Sequence, residues 1–223
     1  MLEALTAHVD LYCERTGPEF WSEPLNALTN LAFVAAGLWG VREVRRKQTG
    51  TFAELLGWWV VAIGIGSGLF HTFANELTKW ADILPIAGFT LAYTLLNLRR
   101  FLAMEWPRAL SIFIAFYIAA GVITALVPDW LREASNGSTG YLPPFLALVF
   151  FGAMVIRAGN PAGWYNIAAA AIFVASVAFR ALDPHVCAAL PIGTHFLWHT
   201  LNGLMLGVLL AAVARYGKPV GSE

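Results

Sequence analysis

The sequence IGTHFLWHTLNGLMLGVLLAAVA, residues 192–214, is apolar and long enough to cross a bilayer as one α-helix. Its first turns carry His195 and His199, four residues apart. Residues i and i+4 of a helix share one face, so both imidazoles are predicted to point at the same place. This pair is half of a metal site, because a zinc ion needs three or four protein ligands. A complete site requires at least one further ligand from elsewhere in the chain.

The composition indicates a membrane protein. Of the 223 residues, 58% are hydrophobic and 13% are charged, whereas ordinary soluble domains carry about 25% charged residues. The 14 basic and 14 acidic residues give a formal net charge of zero, which argues against the basic surface of a nucleic-acid-binding protein. The expected partner is therefore the lipid bilayer, and no nucleic-acid partner is expected.

Seven apolar stretches have about the length of a helical membrane span, roughly 20 residues. No linker or internal repeat interrupts them, so we predict one all-α domain, a bundle of seven transmembrane helices over residues 24–223. Residues 1–23 are too polar to span a bilayer and are expected to form an extramembrane arm. Residues 183–191 are expected to be a loop. The predicted spans are Leu25–Val44, Phe52–Phe73, Trp80–Leu98, Ala109–Val127, Tyr141–Ile156, Gly163–Ala181 and Ile192–Ala214.

The basic residues predict the orientation of this bundle. Seven spans place the two termini on opposite sides, and the positive-inside rule puts the side with more Lys and Arg in the cytoplasm. The C-terminus is therefore predicted to be cytoplasmic and the N-terminus outside. The cytoplasmic side would carry ten basic residues and the outer side four: Arg42, Arg45, Arg46, Lys47, Arg99, Arg100, Arg108, Arg157, Arg215 and Lys218, against Arg15, Lys79, Arg132 and Arg180.

This topology brings further polar residues to the level of His195 and His199. Ser67 and His71 lie at the outer end of the second span, and Asp82 lies at the outer start of the third. All five residues are therefore predicted to lie in the outer half of the bundle. Ionisable groups inside a bilayer are costly and normally face a partner in the bundle interior. Three histidines and a carboxylate meet that condition by sharing a cation.

The ligand set His71, His195 and His199 is typical of zinc sites that leave a fourth position for water. Zinc lowers the pKa of such a water and polarises a carbonyl group. Asp82 could accept a proton or orient a ligand imidazole, and the Ser67 hydroxyl could donate to an oxyanion. Plainer interpretations stay open. Asp82 could cap the third span, Ser67 could bond to its own helix backbone, and His71 could simply be a packed residue.

Together these residues resemble the motifs of the alkaline ceramidase family. The resemblance also includes the segment EPLNALTN, residues 23–30, which enters the first span, and it covers the chain from end to end. That family belongs to a superfamily of seven-span membrane hydrolases with the adiponectin-type receptors and the GPI-remodelling lipases. The matching pattern is Ser67-x-x-x-His71, then Asp82 followed by Ile83-Leu84-Pro85, then His195-x-x-x-His199 in the last span.

The resemblance implies zinc ligands at His71, His195 and His199. It implies a catalytic pair, Ser67 and Asp82, around the attacked carbonyl. It also implies a membrane-lipid substrate, a ceramide-like amide that is cleaved to a sphingoid base and a fatty acid. The residues themselves do not select an amide over an ester. Two other classes stay open: a receptor-like lipid-binding protein with structural zinc, and an electron carrier in which histidines from two helices hold haem.

The resemblance is looser in the N-terminal arm. Alkaline ceramidases carry a calcium-binding acidic cluster there, and Glu14 and Glu23 fall on matching positions with suitable carboxylate ligands. However, Asp10 is one residue out of register, Thr16 stands where the family has asparagine, and the spacing from Glu14 to Glu23 is shorter than in the family. These departures weigh against calcium, and the alternative is a solvated acidic arm.

The two cysteines, Cys13 in the arm and Cys187 before the last span, are both predicted to lie outside. An oxidising compartment allows a disulfide between them, and the family resemblance suggests the same pairing, which would tie the arm over the site. Two free thiols are the alternative.

The short loops and compact size favour a bacterial inner-membrane protein with its active site on the periplasmic side.

Overall fold

The apolar stretches of the sequence fold into long α-helices in the computed structural model, which describes residues 2–218. The α-helices are α1 (Leu2–Thr6), α2 (Pro24–Thr29), α3 (Leu31–Lys47), α4 (Thr51–Phe73), α5 (Glu76–Leu96), α6 (Trp106–Ala125), α7 (Asp129–Ala134), α8 (Leu142–Arg157), α9 (Ala162–Val186) and α10 (His195–Tyr216). A π-helical turn, Asn97–Phe101, extends α5, and a 3-10 turn, Ser138–Tyr141, precedes α8. Residues 2–218 contain no β-strand.

Seven helical segments are long and apolar enough to cross a membrane, which confirms the predicted seven-helix bundle. The first of these segments combines α2 and α3, which meet at Asn30. The third combines α5 with its π-helical turn. The other five are α4, α6, α8 with the preceding 3-10 turn, α9 and α10.

Helix α10 lies at the centre of the bundle. It packs against α9 and α3 and also contacts α2 and α4. In the most apolar part of α10, 56% of the residues are buried inside the protein, compared with 11% in α6 at the rim. The outward-facing side chains are themselves apolar, as a lipid-facing surface requires, and include Ile118, Leu126 and Leu84. The helix that carries two of the histidines is therefore the one most shielded from lipid.

The prediction that residues 183–191 form a loop is wrong for residues 183–186, because α9 continues to Val186. Proline inside a helix removes one backbone hydrogen bond, yet the helix passes through Pro184. Two tertiary contacts hold this last turn in place. The buried carboxylate of Asp183 accepts backbone hydrogen bonds from other segments, and Cys187 is bonded to Cys13 of the arm. The hydrophobic pattern alone does not reveal either contact.

The N-terminal arm is folded onto one end of the bundle. The predicted disulfide between Cys13 and Cys187 is present and confirms that pairing. The arm also pairs with the α4–α5 connection, where the Val9 amide donates to the Ala74 carbonyl at 2.8 Å. Farther along the arm, both oxygens of Glu14 accept backbone hydrogen bonds at 2.7 Å from the first turn of α2. The arm therefore closes the end of the bundle where α4 ends and α10 begins.

Close contact between α4 and α5 depends on Gly66. A Cβ atom at this position would overlap the carbonyl oxygen of Ala81, whereas one at Gly68 would lie 3.9 Å from its nearest neighbour, the Cβ of Asn30. Ser67 and Asp82 follow directly in the two helices. The absence of a side chain at Gly66 therefore allows these two polar residues to approach each other.

We expect Gly66→Ala to force α4 and α5 apart and to destabilise the protein by about 1–3 kcal/mol, the usual cost of overpacking. Gly68→Ala is the matched control, because it has space and alanine favours the helix. Thermal unfolding in detergent should show a lower midpoint for Gly66→Ala and no loss for Gly68→Ala. Equal midpoints for the two variants would contradict the close-contact role of Gly66.

Candidate metal centre

Three histidines meet at the end of the bundle that the arm covers. His71 lies in the last turn of α4, and His195 and His199 lie in the first turns of α10. Each is about 1% exposed. One nitrogen from each ring lies within 4.8 Å of the other two, and the ring centroids are 4.6–5.1 Å apart. The arrangement brings three ligand atoms close enough together to bind one metal ion.

Hydrogen bonds on the outer side of two rings leave the inner nitrogens free. His71 Nδ1 lies 2.6 Å from Glu23 Oε2, and His199 Nδ1 lies 3.0 Å from Thr29 Oγ1. The Thr29 hydroxyl can donate to the Leu25 carbonyl at 2.8 Å, so its oxygen is available to accept from His199. With a proton on Nδ1, each ring keeps a lone pair on Nε2.

The free nitrogens are the ones that a metal would use. Nε2 of His71, Nδ1 of His195 and Nε2 of His199 are buried and have no hydrogen-bond partner among residues 2–218. Leaving one buried polar atom unpaired costs about 1–3 kcal/mol, and each of the three neighbouring rings has one such atom. A shared cation satisfies all three, so the donor set fits a metal with imidazole ligands.

His195 is positioned by residues that the sequence analysis did not select. The ring of Tyr12 in the arm stacks on it, with ring centroids 3.5 Å apart. Burial raises the pKa of Tyr12 above its usual value, so its hydroxyl remains protonated at neutral pH. Asp183 Oδ1 accepts hydrogen bonds from the backbone amides of Thr194 and His195, at 2.6 and 2.9 Å. This carboxylate caps the positive end of α10 and fixes where the helix begins.

Ser67 and Asp82 lie close to His71. Ser67 is buried and Asp82 is half-buried. The Asp82 carboxyl interacts with His71, Ser67 and Arg180, and its Oδ1 has no hydrogen-bond partner among the described residues. Arg180 is held in turn by the Asn136 carbonyl at 2.7 Å. The centre thus combines three imidazoles with a carboxylate oxygen that is free to accept a proton.

Glu23 orients His71 from the arm side. It is 2% exposed, and besides His71 it pairs with the guanidinium of Arg15 and accepts from Asn26 Nδ2 at 3.0 Å. Burial by itself would raise the pKa of Glu23, but the bond to His71 and the charge of Arg15 hold it below its usual value. Arg15 also donates to the His71 carbonyl at 3.0 Å. An ionised Glu23 therefore polarises the ring that it orients.

The three acidic residues considered for calcium have different surroundings. Glu14 and Glu23 are buried, so neither belongs to a solvated acidic arm, whereas Asp10 is exposed. All four oxygens of Glu14 and Glu23 already accept hydrogen bonds or lie in an ion pair. The guanidinium of Arg15 supplies a positive charge within this cluster. The expectation from the sequence, that this cluster does not hold calcium, stays a prediction that metal analysis can test.

An apolar cavity of about 70 Å³ lies inside the bundle, lined by residues of α10 that follow the histidines and by the facing helices. Trp198 and Tyr141 line it, and Trp198 lies one residue before His199. Leu209 lines it deeper along α10, a rise of about 15 Å below His199. Tyr93, Asn97 and Asn166 line it on the facing helices. The cavity has the apolar lining that a hydrocarbon chain requires.

The chain matches a known protein family. The model of the family described as Ceramidase matches residues 4–216, which is nearly the whole chain. No curated protein matches the chain at a significant level. The family match spans the arm, all seven membrane-spanning segments and every residue of the centre described above.

We expect Glu23→Gln to weaken metal binding about 10–100-fold, the usual effect of removing a carboxylate that orients a ligand histidine. Glu19→Gln is the control, because Glu19 lies in the same arm but is exposed and bonds only to Ser22 in the described structure. Competition with a chromophoric chelator, on protein shown to be folded, measures both affinities. Equal affinities for the two variants would show that Glu23 does not support the centre.

Proposed function

The chain belongs to the ceramidase family, and from this premise we propose that it is a zinc-dependent membrane hydrolase that cleaves the amide bond of ceramide-like lipids. Its products would be a sphingoid base and a fatty acid. The observation that carries this proposal is the group of three buried, unpartnered imidazole nitrogens beside the free oxygen of Asp82. A binding protein with purely structural zinc has no need of that carboxylate.

Each residue of the centre has a role in this proposal. Zinc, when bound by His71, His195 and His199, supplies a Lewis acid and a water of lowered pKa. Asp82 accepts the proton of the attacking water through its unpartnered Oδ1 and delivers it to the leaving amine. Ser67 donates a hydrogen bond to the carbonyl oxygen as negative charge develops on it.

The surrounding structure supports a lipid substrate. The cavity beside α10 is lined mainly by aliphatic and aromatic side chains, which suit one hydrocarbon chain of the lipid. The Tyr12 ring covers His195 from the arm side and helps to exclude bulk water. The preference for an amide over an ester comes from the family membership, because the centre itself could polarise either carbonyl.

Metal analysis combined with product identification tests the proposal. The purified protein should contain one zinc ion per chain and convert ceramide to a sphingoid base and a fatty acid, measured by mass spectrometry. His199→Ala should lose both metal and activity. Ser67→Ala and Asp82→Asn should keep the metal and lose about 10²–10⁴-fold in kcat. His185→Ala, at an exposed histidine on α9, should keep both.

Other outcomes of this experiment identify the competing functions. Zinc without turnover of any amide or ester would favour a receptor-like lipid-binding protein. Turnover of esters alone would identify a different lipid hydrolase. Haem absorbance without zinc would indicate an electron carrier, although nitrogens that converge within 4.8 Å suit a single small ion better than two faces of a porphyrin. The same metal analysis would count any bound calcium.

We also propose that the centre faces the periplasm of a bacterial inner membrane, with the C-terminus in the cytoplasm. The support is the distribution of basic residues and the disulfide at the end of the bundle that holds the centre. Green fluorescent protein fused to the C-terminus should fluoresce in bacterial cells, and alkaline phosphatase fused there should be inactive. The reverse pattern would place the centre on the cytoplasmic side.

A further inference from the structure

Asn202 carries a buried acceptor that the proposed chemistry at the histidines does not use. It lies in α10, three residues after His199, and lines the apolar cavity. It is 4% exposed. Its Oδ1 has no hydrogen-bond partner among residues 2–218. An unpaired buried acceptor costs free energy, so a partner supplied by a ligand would be favourable.

The neighbours of Asn202 fix which amide atom is left unpaired. Asn202 Nδ2 donates to the Trp198 carbonyl at 3.0 Å and to Ser176 Oγ at 2.8 Å. A backbone carbonyl can only accept, so the atom facing it is the nitrogen. Ser176 Oγ donates to the same carbonyl at 3.2 Å, and its oxygen is therefore available to accept from Asn202. Both amide hydrogens are used, and Oδ1 is the polar atom of Asn202 that remains unpaired.

The other amide side chains of the cavity wall are satisfied. Asn166 Nδ2 donates to Asn97 Oδ1 at 2.5 Å, and Asn166 Oδ1 accepts from the Tyr93 hydroxyl at 2.7 Å. Asn97 Nδ2 donates to the Tyr93 carbonyl at 2.9 Å. This network needs no ligand. Asn202 differs from it because its amide oxygen is unpaired.

The depth of Asn202 indicates which part of a lipid would reach it. Three residues along a helix correspond to a rise of about 4.5 Å, and residues i and i+3 share a face. Asn202 therefore lies just below His199, next to the place where the reacting carbonyl would lie. A lipid hydroxyl within a few bonds of that carbonyl could donate to Oδ1, whereas plain methylene groups could not.

We propose that Asn202 is a specificity-determining residue that selects lipids with a hydroxyl close to the scissile bond. This inference rests on the proposed function, since it uses the same cavity and the same centre. Two sources share the required chemistry, a hydroxyl at C2 of the acyl chain and the C3 hydroxyl of the sphingoid base. In both cases the lipid hydroxyl donates to Asn202 Oδ1, and no bond is made or broken there.

The test compares kcat/KM for paired substrates of equal chain length within each variant. One pair differs by the acyl C2 hydroxyl, and the other differs by the C3 hydroxyl of the base. In the unmodified protein we expect about a tenfold preference for the hydroxylated member of one pair, and the preferred pair identifies the source. Asn202→Leu should bring that ratio to about one. Both kcat/KM values of a ratio are measured on the same preparation. Partial misfolding therefore lowers both equally and leaves the ratio unchanged.

Met205→Leu is the control, because it changes the cavity wall without removing an acceptor and should keep the tenfold ratio whatever its absolute rate. If Asn202→Leu yields no folded protein, Asn202→Ser, whose hydroxyl is too short to replace Oδ1, takes its place. A ratio near one for both pairs in the unmodified protein would overturn the inference, as would a tenfold ratio that survives loss of Asn202. The first result would indicate that water satisfies Oδ1, and the second that another residue contacts the lipid hydroxyl.

Failure of the proposed function has a different signature, namely no turnover of any substrate in either pair. The inference can then still be tested by binding. Thermal unfolding with 2-hydroxy and unsubstituted fatty acids of one length, and with C3-hydroxylated and 3-deoxy sphingoid bases of one length, should show greater stabilisation by the hydroxylated member of one pair. That difference should be absent in Asn202→Leu. Equal stabilisation within both pairs in the unmodified protein would overturn the inference without reference to catalysis.

Discussion

Three histidine rings lie side by side, and each has a buried nitrogen without a hydrogen-bond partner among residues 2–218; the rest of this structure is organised around them. Burying unpaired polar atoms in a membrane bundle is unfavourable unless a ligand satisfies them. The protein places two of them on α10, its most shielded helix, and the third at the end of α4. Glu23 and Thr29 bond to the outer nitrogens of two rings, so the inner lone pairs remain available.

The arm that precedes the first span is part of this centre. Tyr12 stacks on His195, Arg15 holds both Glu23 and the backbone of His71, and Cys13 is bonded to the segment that leads into α10. Asp183 connects these parts, because it accepts hydrogen bonds from the backbone of the arm and from the first residues of α10. The covalent bond and this carboxylate together fix the arm against the membrane-embedded centre.

Below the centre, the polar groups of the cavity fall into two classes. The network of Tyr93, Asn97 and Asn166 satisfies itself and links α5 and its π-helical turn to α9 by hydrogen bonds. Asn202 is held firmly through its nitrogen but presents an unpaired oxygen. Because this acceptor is already held rigidly in an apolar wall, little further conformational entropy is lost when a donor binds to it. Such a contact discriminates between ligands with and without the donor.

The sequence by itself determined the seven spans, because hydropathy is a local property. It also grouped the candidate site residues, because the order of the spans and the helical spacing place them at a similar depth in the bundle: Ser67, His71, Asp82, His195 and His199. Only the tertiary structure decided the roles of Glu23, Tyr12 and Asp183. Their contacts join segments far apart in the chain, such as Cys13 with Asp183, 170 residues away. A sequence pattern could suggest that Glu23 binds a cation, but only packing shows its carboxylate bonded to a histidine and an arginine instead. The periodic pattern of hydrophobic residues in the sequence does not encode these long-range contacts, which depend on how the helices pack.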